Sequence, residues 1–349
     1  MKNILIIGNE GYIGPIVIDH LRKSHSDLFI AGFDIGYFTH LLSTIDRFPE
    51  RHINVQHRGD VRQFPMDLLK GFDAVIYLAA ISNDPMGKKF EEITFDVNWR
   101  SAVAIAKEAK NVGVHHFVYA SSCSVYGLAD DKPRTEDSEL NPLTAYAKSK
   151  VWTEKDLKPL ASNDFIITCL RFATACGFSP RLRLDLVLND FVASAVSTGK
   201  IEILSDGMPW RPLIHVKDMA RAFDWASQRK RDNGGEFLNV NTGSNDWNHQ
   251  IKDLALAVEG QIKGVSVFIN KNAEADNRSY KVDFSKFTDL APDFVPHIDL
   301  PSAVREIQQG LNSINFKDKN FRQSQWMRLN VLRSHQNNNR LGKKLDWIK

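Results

Sequence analysis

Residues 4–15 read ILIIGNEGYIGP, and this stretch constrains the fold more than any other. Ile4, Leu5, Ile6 and Ile7 form an unbroken apolar run, and glycines follow at 8, 11 and 14. A short apolar run that ends on a turn signal predicts a strand covered on both faces. Gly8 permits a tight turn, Gly11 opens the backbone to a ligand, and Gly14 lets the next helix pack close to the strand. Tyr12 and Ile13 lie between the last two. The helix that follows, YIGPIVIDHLRK, is apolar at Ile13, Ile16, Val17 and Leu21 and basic in its last turn. Its N-terminus offers free N–H groups and a positive dipole end, which suit a pyrophosphate. Taken alone, the motif also fits an ordinary strand–turn–helix corner.

A second strand, DLFIAGFD, ends on Asp34, about twenty residues past the glycine turn. An acid at that place accepts hydrogen bonds from an adenosine ribose. Its charge repels a 2′-phosphate, and IGYF, with no cation, comes next. NAD is therefore expected rather than NADP.

The chain has 349 residues, of which 43% are hydrophobic and 25% charged, with net charge +3. That predicts a globular protein large enough for one domain and a smaller lobe. No run of about eighteen apolar residues suggests a membrane span. A strand that begins by residue 4 leaves no room for a signal peptide. Cys123, Cys169 and Cys176 lack metal-ligand spacing and are odd in number, which favours a reducing cytoplasm and no metal. The near-neutral charge argues against nucleic acid as the main partner.

Strands are expected at residues 3–7, 28–33, 53–57, 73–78, 115–120 and 164–170. Helical patterns lie between them, notably at residues 91–113 and 143–161. This alternation predicts an α/β fold with a doubly wound parallel (Rossmann) sheet. The alternation loosens near residue 174. The division expected is a dinucleotide-binding domain over 1–173, a smaller discontinuous substrate lobe over 174–312 and a basic helical tail over 313–349. The segment 212–242 is expected to return to the first domain. In the tail, Trp326, Leu329 and Leu332 fall at helical spacing, which reads as one packed stripe under a solvated basic face. A contact with an anionic partner or a second subunit is the alternative.

The chemistry is carried by HHFVYASSCSVYG and TAYAKSK. Tyr146 and Lys150 are four apart, hence one helical turn from each other. A lysine ammonium beside a phenol favours the phenolate. Ser122, at a strand end, offers a hydroxyl to a substrate oxygen. Such a set can take a proton from a sugar hydroxyl while a nicotinamide accepts hydride from the same carbon.

The motifs GNEGYIG, GD with Val61, YLAA, SSCSVYG and YAKSK together resemble the extended short-chain dehydrogenase/reductase family, in its nucleotide-sugar epimerase/dehydratase branch. The likeness spans roughly residues 1–312. It implies bound NAD, a nucleoside-diphosphate sugar, transient oxidation at sugar C4, and a homodimer formed by pairing the helices around 93–112 and 142–160. It implies Tyr146 as base, Lys150 as its partner and Ser122 as third catalytic member. It places Asp60 and Val61 at adenine, Leu78, Ala79 and Ala80 under the cofactor, and Asn98 in support of the site. Arg211 and Arg278 correspond to arginines that hold the substrate's phosphates, and a guanidinium fork suits phosphate oxygens. Asn83, Thr174 and Asn189 are further candidate substrate contacts. Thr174 and Cys176 stand where the family pattern has asparagine and tyrosine. The stretch LRLDLVLNDF is similar to enzymes of surface-polysaccharide sugars, including C4 dehydrogenases of GDP-heptose.

Family 4,6-dehydratases carry an Asp–Glu pair directly after the Ser/Thr member. Here Cys123 and Ser124 stand there, and neither is an apt acid or base near neutral pH. Epimerisation or C4 oxidation is expected, and dehydration is not. Asp185 and Asp190 are the candidates for a carboxylate arriving from elsewhere. The alternatives are an NADH-dependent 4-keto-sugar reductase and a non-catalytic dinucleotide-binding regulator. A regulator has no need of Tyr146 and Lys150 in register.

Overall fold

The apolar run at the N-terminus becomes β1 (Asn3–Ile7), in which Ile4 to Ile7 are wholly buried. The structure is a computed structural model that describes residues 1–43, 48–128, 132–270 and 279–348. After α1 (Gly14–Ser24) come β2 (Phe29–Asp34), β3 (Val55–Arg58) and β4 (Ala74–Tyr77). Then α2 (Asp84–Lys89), α3 (Glu91–Phe95) and α4 (Ser101–Asn111) lead to β5 (His116–Ser122). α5 (Ala145–Leu157) leads to β6 (Ile166–Phe172). The chain then leaves the sheet through β7 (Thr174–Cys176), α6 (Val187–Thr198), β8 (Lys200–Ile203) and β9 (Trp210–His215). It returns through α7 (Val216–Gln228), which packs on α1, and β10 (Phe237–Thr242), which pairs with β6. β11 (Asn248–Gln250), α8 (Ile251–Gln261), β12 (Ser266–Ile269), α9 (Ser285–Leu290), α10 (Leu300–Ser313) and α11 (Arg328–Asn337) follow.

Seven strands form one parallel sheet in the order β10-β6-β5-β4-β1-β2-β3. The Rossmann-type fold expected from the alternation is present. Strand alternation feeds both faces: Ile4 and Ile6 join the core under α1 and α7, while Leu5 and Ile7 join the core under α4. The order reverses between β1 and β4, and a crevice opens there at the strands' carboxyl ends. A second core, built by α6, α8 and α10, lies beyond that edge with a three-stranded sheet β11-β9-β7. Among the described residues no helix is long and apolar enough to cross a membrane.

Two segments depart from the sequence reading. The pattern over 91–113 is not one helix: a π-helical turn, Asp96–Arg100, joins α3 to α4. There the carbonyl of Asn98 accepts from the Tyr119 hydroxyl at 2.9 Å and the Thr153 hydroxyl at 3.1 Å, bonds a regular helix would have made with its own backbone. In the tail, α11 begins at Arg328, so Trp326 precedes it. Trp326 packs on the second core, whereas Leu329 and Leu332 pack with Tyr37, Ile81 and Met86. The single stripe is thus divided between two cores, and Arg328, expected on a solvated face, is 2% exposed.

Candidate active site

The turn after β1 is fixed by sterics. Gly8 has φ +88°, and a Cβ there would lie 2.4 Å from the Ala79 nitrogen. A Cβ on Gly14 would lie 2.1 Å from the Asn9 carbonyl oxygen, so α1 approaches the turn as closely as the backbone allows. Gly11 faces a cavity of about 960 Å³, open solvent at its mouth included. Gly8, Tyr12, Ile13, Gly14, Asp34, Asp60, Val61, Leu78, Ala79 and Ala80 line the same cavity. These ten residues and Gly11 therefore meet in one place, with Asn98 behind them, whereas Tyr146 and Lys150, also read as cofactor-binding, and Ser122 are not among the cavity's lining. Asn98 accepts from the Ile81 N–H at 2.8 Å and donates to Ser149 Oγ at 3.1 Å, which ties the strand end after β4 to α5. A side-chain-free cradle at a helix N-terminus fits a dinucleotide's phosphates.

Asp34 sits at the tip of β2, as expected, but its surroundings differ from the sequence reading. Its carboxylate accepts from the N–H groups of Glu10 at 3.0 Å and Gly36 at 2.7 Å. Burial pushes its pKa up to about 6 against these bonds and the nearby charges of Arg181 and Arg328. Arg58 pairs with it in strand register and forms an ion pair with Glu10. Cations absent from the following sequence are thus supplied by β3, the segment between β7 and α6, and the tail. Asp60 is held by Arg62, whose Nε lies 2.9 Å from Oδ2, and Arg62 also donates to the Lys344 carbonyl at 2.7 Å.

α5 brings Tyr146 and Lys150 to the same edge. Thr144 caps the helix by accepting from the Ala147 N–H. Lys150 is 2% exposed and donates to the Ala120 carbonyl at 2.6 Å, with Nζ 5.3 Å from the Tyr146 ring centre and 4.6 Å from that of Tyr119. Burial lowers the Lys150 pKa to about 7. The phenol of Tyr146 is pushed up to about 12 by burial, and a hydrogen bond with Ser122 and the charge of Arg183 oppose the rise. The expected lowering by Lys150 is not the controlling effect: desolvation wins, and the ammonium is turned towards a carbonyl. Behind the site, Glu154 and Arg171, each 3% exposed, form an ion pair of 2.6 Å, and Ser121 donates to Glu154 at 2.5 Å.

The substrate-side candidates separate. Asn83 caps α2 and donates to Asp185 at 2.7 Å. Thr174 is partly buried on β7. Asn189 is wholly buried: its oxygen accepts from the Gly177 N–H, and its amide nitrogen donates to Tyr12 Oη, Gly177 O and Arg183 O. Its polar atoms are used inside the protein, joining α6 to the cofactor turn. Arg211 is 8% exposed and lies over the Tyr280 ring. Arg278 lies outside the described residues. Asp185 is held ionised below the usual carboxylate range by Arg183, 2.7 Å away, in spite of its burial. Asp190 pairs with Arg322 at 2.6 Å. Cys123 points into the core and donates to the Arg171 carbonyl, and burial raises its thiol pKa. Sequence reasoning missed Arg183, Phe38, Arg328 and Leu332, which all line the cavity. The tail's excess of basic residues was the one local signal for Arg328.

Comparison with known proteins agrees with this geometry. The model of the NAD dependent epimerase/dehydratase family matches residues 4–241. The UDP-glucose 4-epimerase of Lactobacillus helveticus is 26% identical over 276 residues, 74% of this chain and 82% of that protein. The dTDP-glucose 4,6-dehydratase of Streptomyces griseus is 27% identical over 247 residues, 70% of this chain and 73% of that one. The solved UDP-glucose-4-epimerase of Stenotrophomonas maltophila, with bound NAD and formylated UDP-arabinopyranose, has the same fold: TM-score 0.76 at 22% identity, over 90% of this chain and 99% of that one. Both epimerases and a dehydratase stand among the relatives, so family membership leaves the reaction type to the site. The chain belongs to the NAD dependent epimerase/dehydratase family, and NAD is its cofactor.

Proposed function

We propose that this protein is a nucleotide-sugar epimerase or 4-dehydrogenase that oxidises a hydroxyl-bearing sugar carbon, C4, of a nucleoside-diphosphate sugar. The observation that carries the reading is the meeting of Tyr146, Ser122 and Lys150, with the charge of Arg183, which lines the glycine-bordered cavity, reaching Tyr146. NAD, when bound, supplies hydride transfer at that carbon. Tyr146 Oη takes the proton of the sugar hydroxyl as the carbon is oxidised and returns it on reduction. Ser122 hydrogen-bonds that phenol and holds the reacting oxygen in line with it. Lys150 fixes the site's floor through Ala120. Arg211 and Arg278 take the diphosphate, and Thr174 and Asn83 border the sugar. Asn189 acts from behind, by positioning Tyr12 and the loop at Gly177.

Dehydration is disfavoured by the same site. Cys123 faces the core, Asp185 is neutralised by Arg183, and Asp190 by Arg322. The test is a panel of UDP-, GDP-, CDP- and dTDP-sugars, with mass and proton NMR of the products. Epimerisation leaves the mass unchanged and inverts one carbon. Oxidation removes two hydrogens. No conversion of any sugar would overturn the reading in favour of a binding protein.

We also propose a homodimer through α3, the π-helical turn and α5. Phe95, Trp99 and Trp152 cluster there with ring centres 4.8–5.0 Å apart, and Trp99 and Trp152 remain partly exposed. Ile93, Phe95 and Ile105 are covered within the chain and Val97 and Val103 are partly buried, so the contact we propose centres on Trp99 and Trp152.

A further inference from the structure

The cavity has a wall that comes from the far end of the chain. α11 and the residues around it lie beyond the matched stretch 4–241, yet Arg328 and Leu332 line the same cavity as the glycine turn. The tail is fastened on both sides. Arg322 holds Asp190, and the Leu184 N–H donates to the Trp326 carbonyl at 2.9 Å, which ties it to the substrate lobe. Tyr37 donates to the Leu345 carbonyl, and Trp347 donates to the Ile35 carbonyl at 2.8 Å, which ties it to the loop after β2.

Arg328 is set apart from buried Arg229, which among the described residues also lacks a carboxylate but donates from Nε, Nη1 and Nη2 to Thr168, Asn233 and Ile167. Arg171, Arg181 and Arg183 each have a carboxylate within ion-pair distance. Among the described residues Arg328 has none. Its Nη2 donates to the Arg181 carbonyl at 2.7 Å and its guanidinium lies over the Phe38 ring at 4.3 Å, but Nη1 has no hydrogen-bond partner. Asp34 and Asp185 are near enough to feel its charge, but both Asp34 oxygens already accept backbone N–H groups and Asp185 is paired with Arg183. A guanidinium left buried without an anion is costly, and one facing a cavity is compensated when an anion enters. We propose that Arg328 binds the phosphates of the dinucleotide, and that residues 315–348 clamp the cofactor in its cavity. This rests on the reading of the cavity as the NAD site. Desolvation and the charges of Arg183 and Arg181 depress the Arg328 pKa to about 9 against the charge of Asp185.

The test measures binding rather than turnover, on the full chain. NAD and ADP affinities are measured by calorimetry, and NAD release by exchange with labelled NAD, for wild type, Arg328→Met and Arg328→Lys. Thermal melting shows that each variant is folded. The expected result is that Arg328→Met weakens both NAD and ADP at least about tenfold and speeds NAD release, as loss of a charged hydrogen bond requires. Arg328→Lys recovers part of the loss. Arg322→Ala, which frees the tail from Asp190 at a residue outside the cavity lining, speeds release while keeping the same ADP contact. A folded Arg328→Met protein with unchanged NAD affinity would overturn the inference and leave the cofactor reading standing. Equal losses in the methionine and lysine variants would assign Arg328 to packing and overturn it too. Wild type that binds ADP but not NAD would overturn the cofactor reading while Arg328 kept its phosphate role. Wild type that binds neither would overturn both.

Discussion

Lys150 and Tyr146 stand one helical turn apart, with Nζ 5.3 Å from the phenol ring centre, yet the lysine gives its hydrogen bond to the carbonyl of Ala120. The phenol instead has Ser122 as its hydrogen-bond partner. This division of labour shapes what substitutions at the site should do.

Tyr146→Phe should abolish turnover and leave NAD binding nearly intact. The ring still packs, and only the proton-transferring oxygen is lost. General acid–base catalysis contributes roughly a hundredfold or more. Residual turnover above about a tenth of wild type, measured with the active nucleotide sugar, would take Tyr146 out of the base role.

Ser122→Ala should lower sugar oxidation by about tenfold or more at neutral pH, because it removes a hydrogen bond that opposes the rise of the Tyr146 pKa. With that pKa pushed up to about 12, kcat/KM for oxidation should climb with pH from 7 to 9 in both proteins. A flat profile would mean that another group titrates.

Lys150 makes stability depend on pH in a defined direction. Its folded pKa, about 7, lies below its ordinary value of 10.5, so between these limits the unfolded chain binds the extra proton. The unfavourable contribution is complete below about pH 7 and fades as pH rises towards 10.5. Urea unfolding should therefore show the stability of wild type rising relative to Lys150→Met from pH 6 to pH 9. A difference that stays constant or falls would show that the lysine is not held neutral.

Nucleotide sugars with a 6-hydroxyl should never give a product lighter by one water, about eighteen mass units. Loss of water across C5 and C6 needs a base and an acid, and the thiol of Cys123 is buried with a raised pKa. Mass spectrometry of the products decides this. Detection of the dehydrated sugar would point to an acid elsewhere, with Asp84, close enough to affect Tyr146 electrostatically, the first to replace.

Light scattering at micromolar concentration should report a dimer, and Trp152→Lys should shift it to monomer, because a charge placed beside Phe95 and Trp99 cannot be buried unpaired. A wild-type monomer would end the pairing proposal.

Much of this protein is written in short stretches of its sequence. Gly8, Gly11 and Gly14 were legible because turn sterics act over a few residues, and Tyr146 with Lys150 because helical spacing fixes neighbours four apart. Five of the six strands before residue 173 were legible as local apolar runs, β3, which reads VQHR, being the exception, and parallel pairing followed from their alternation with helices. Contacts that depend on distant partners were not. Asn189 looks like any polar residue at a helix start until the fold closes it against Tyr12, 177 residues away. Asp34 has no cation beside it in sequence, but folding brings Arg58, Arg181 and Arg328 into its field. The balance between Lys150 and Tyr146 turned on burial, which is a property of everything packed around them. The tail's basic residues suggested a solvated face. Only folding across the cavity, with Arg328 set against the carbonyl of Arg181, 147 residues earlier in the chain, made one of them a buried and unpaired charge.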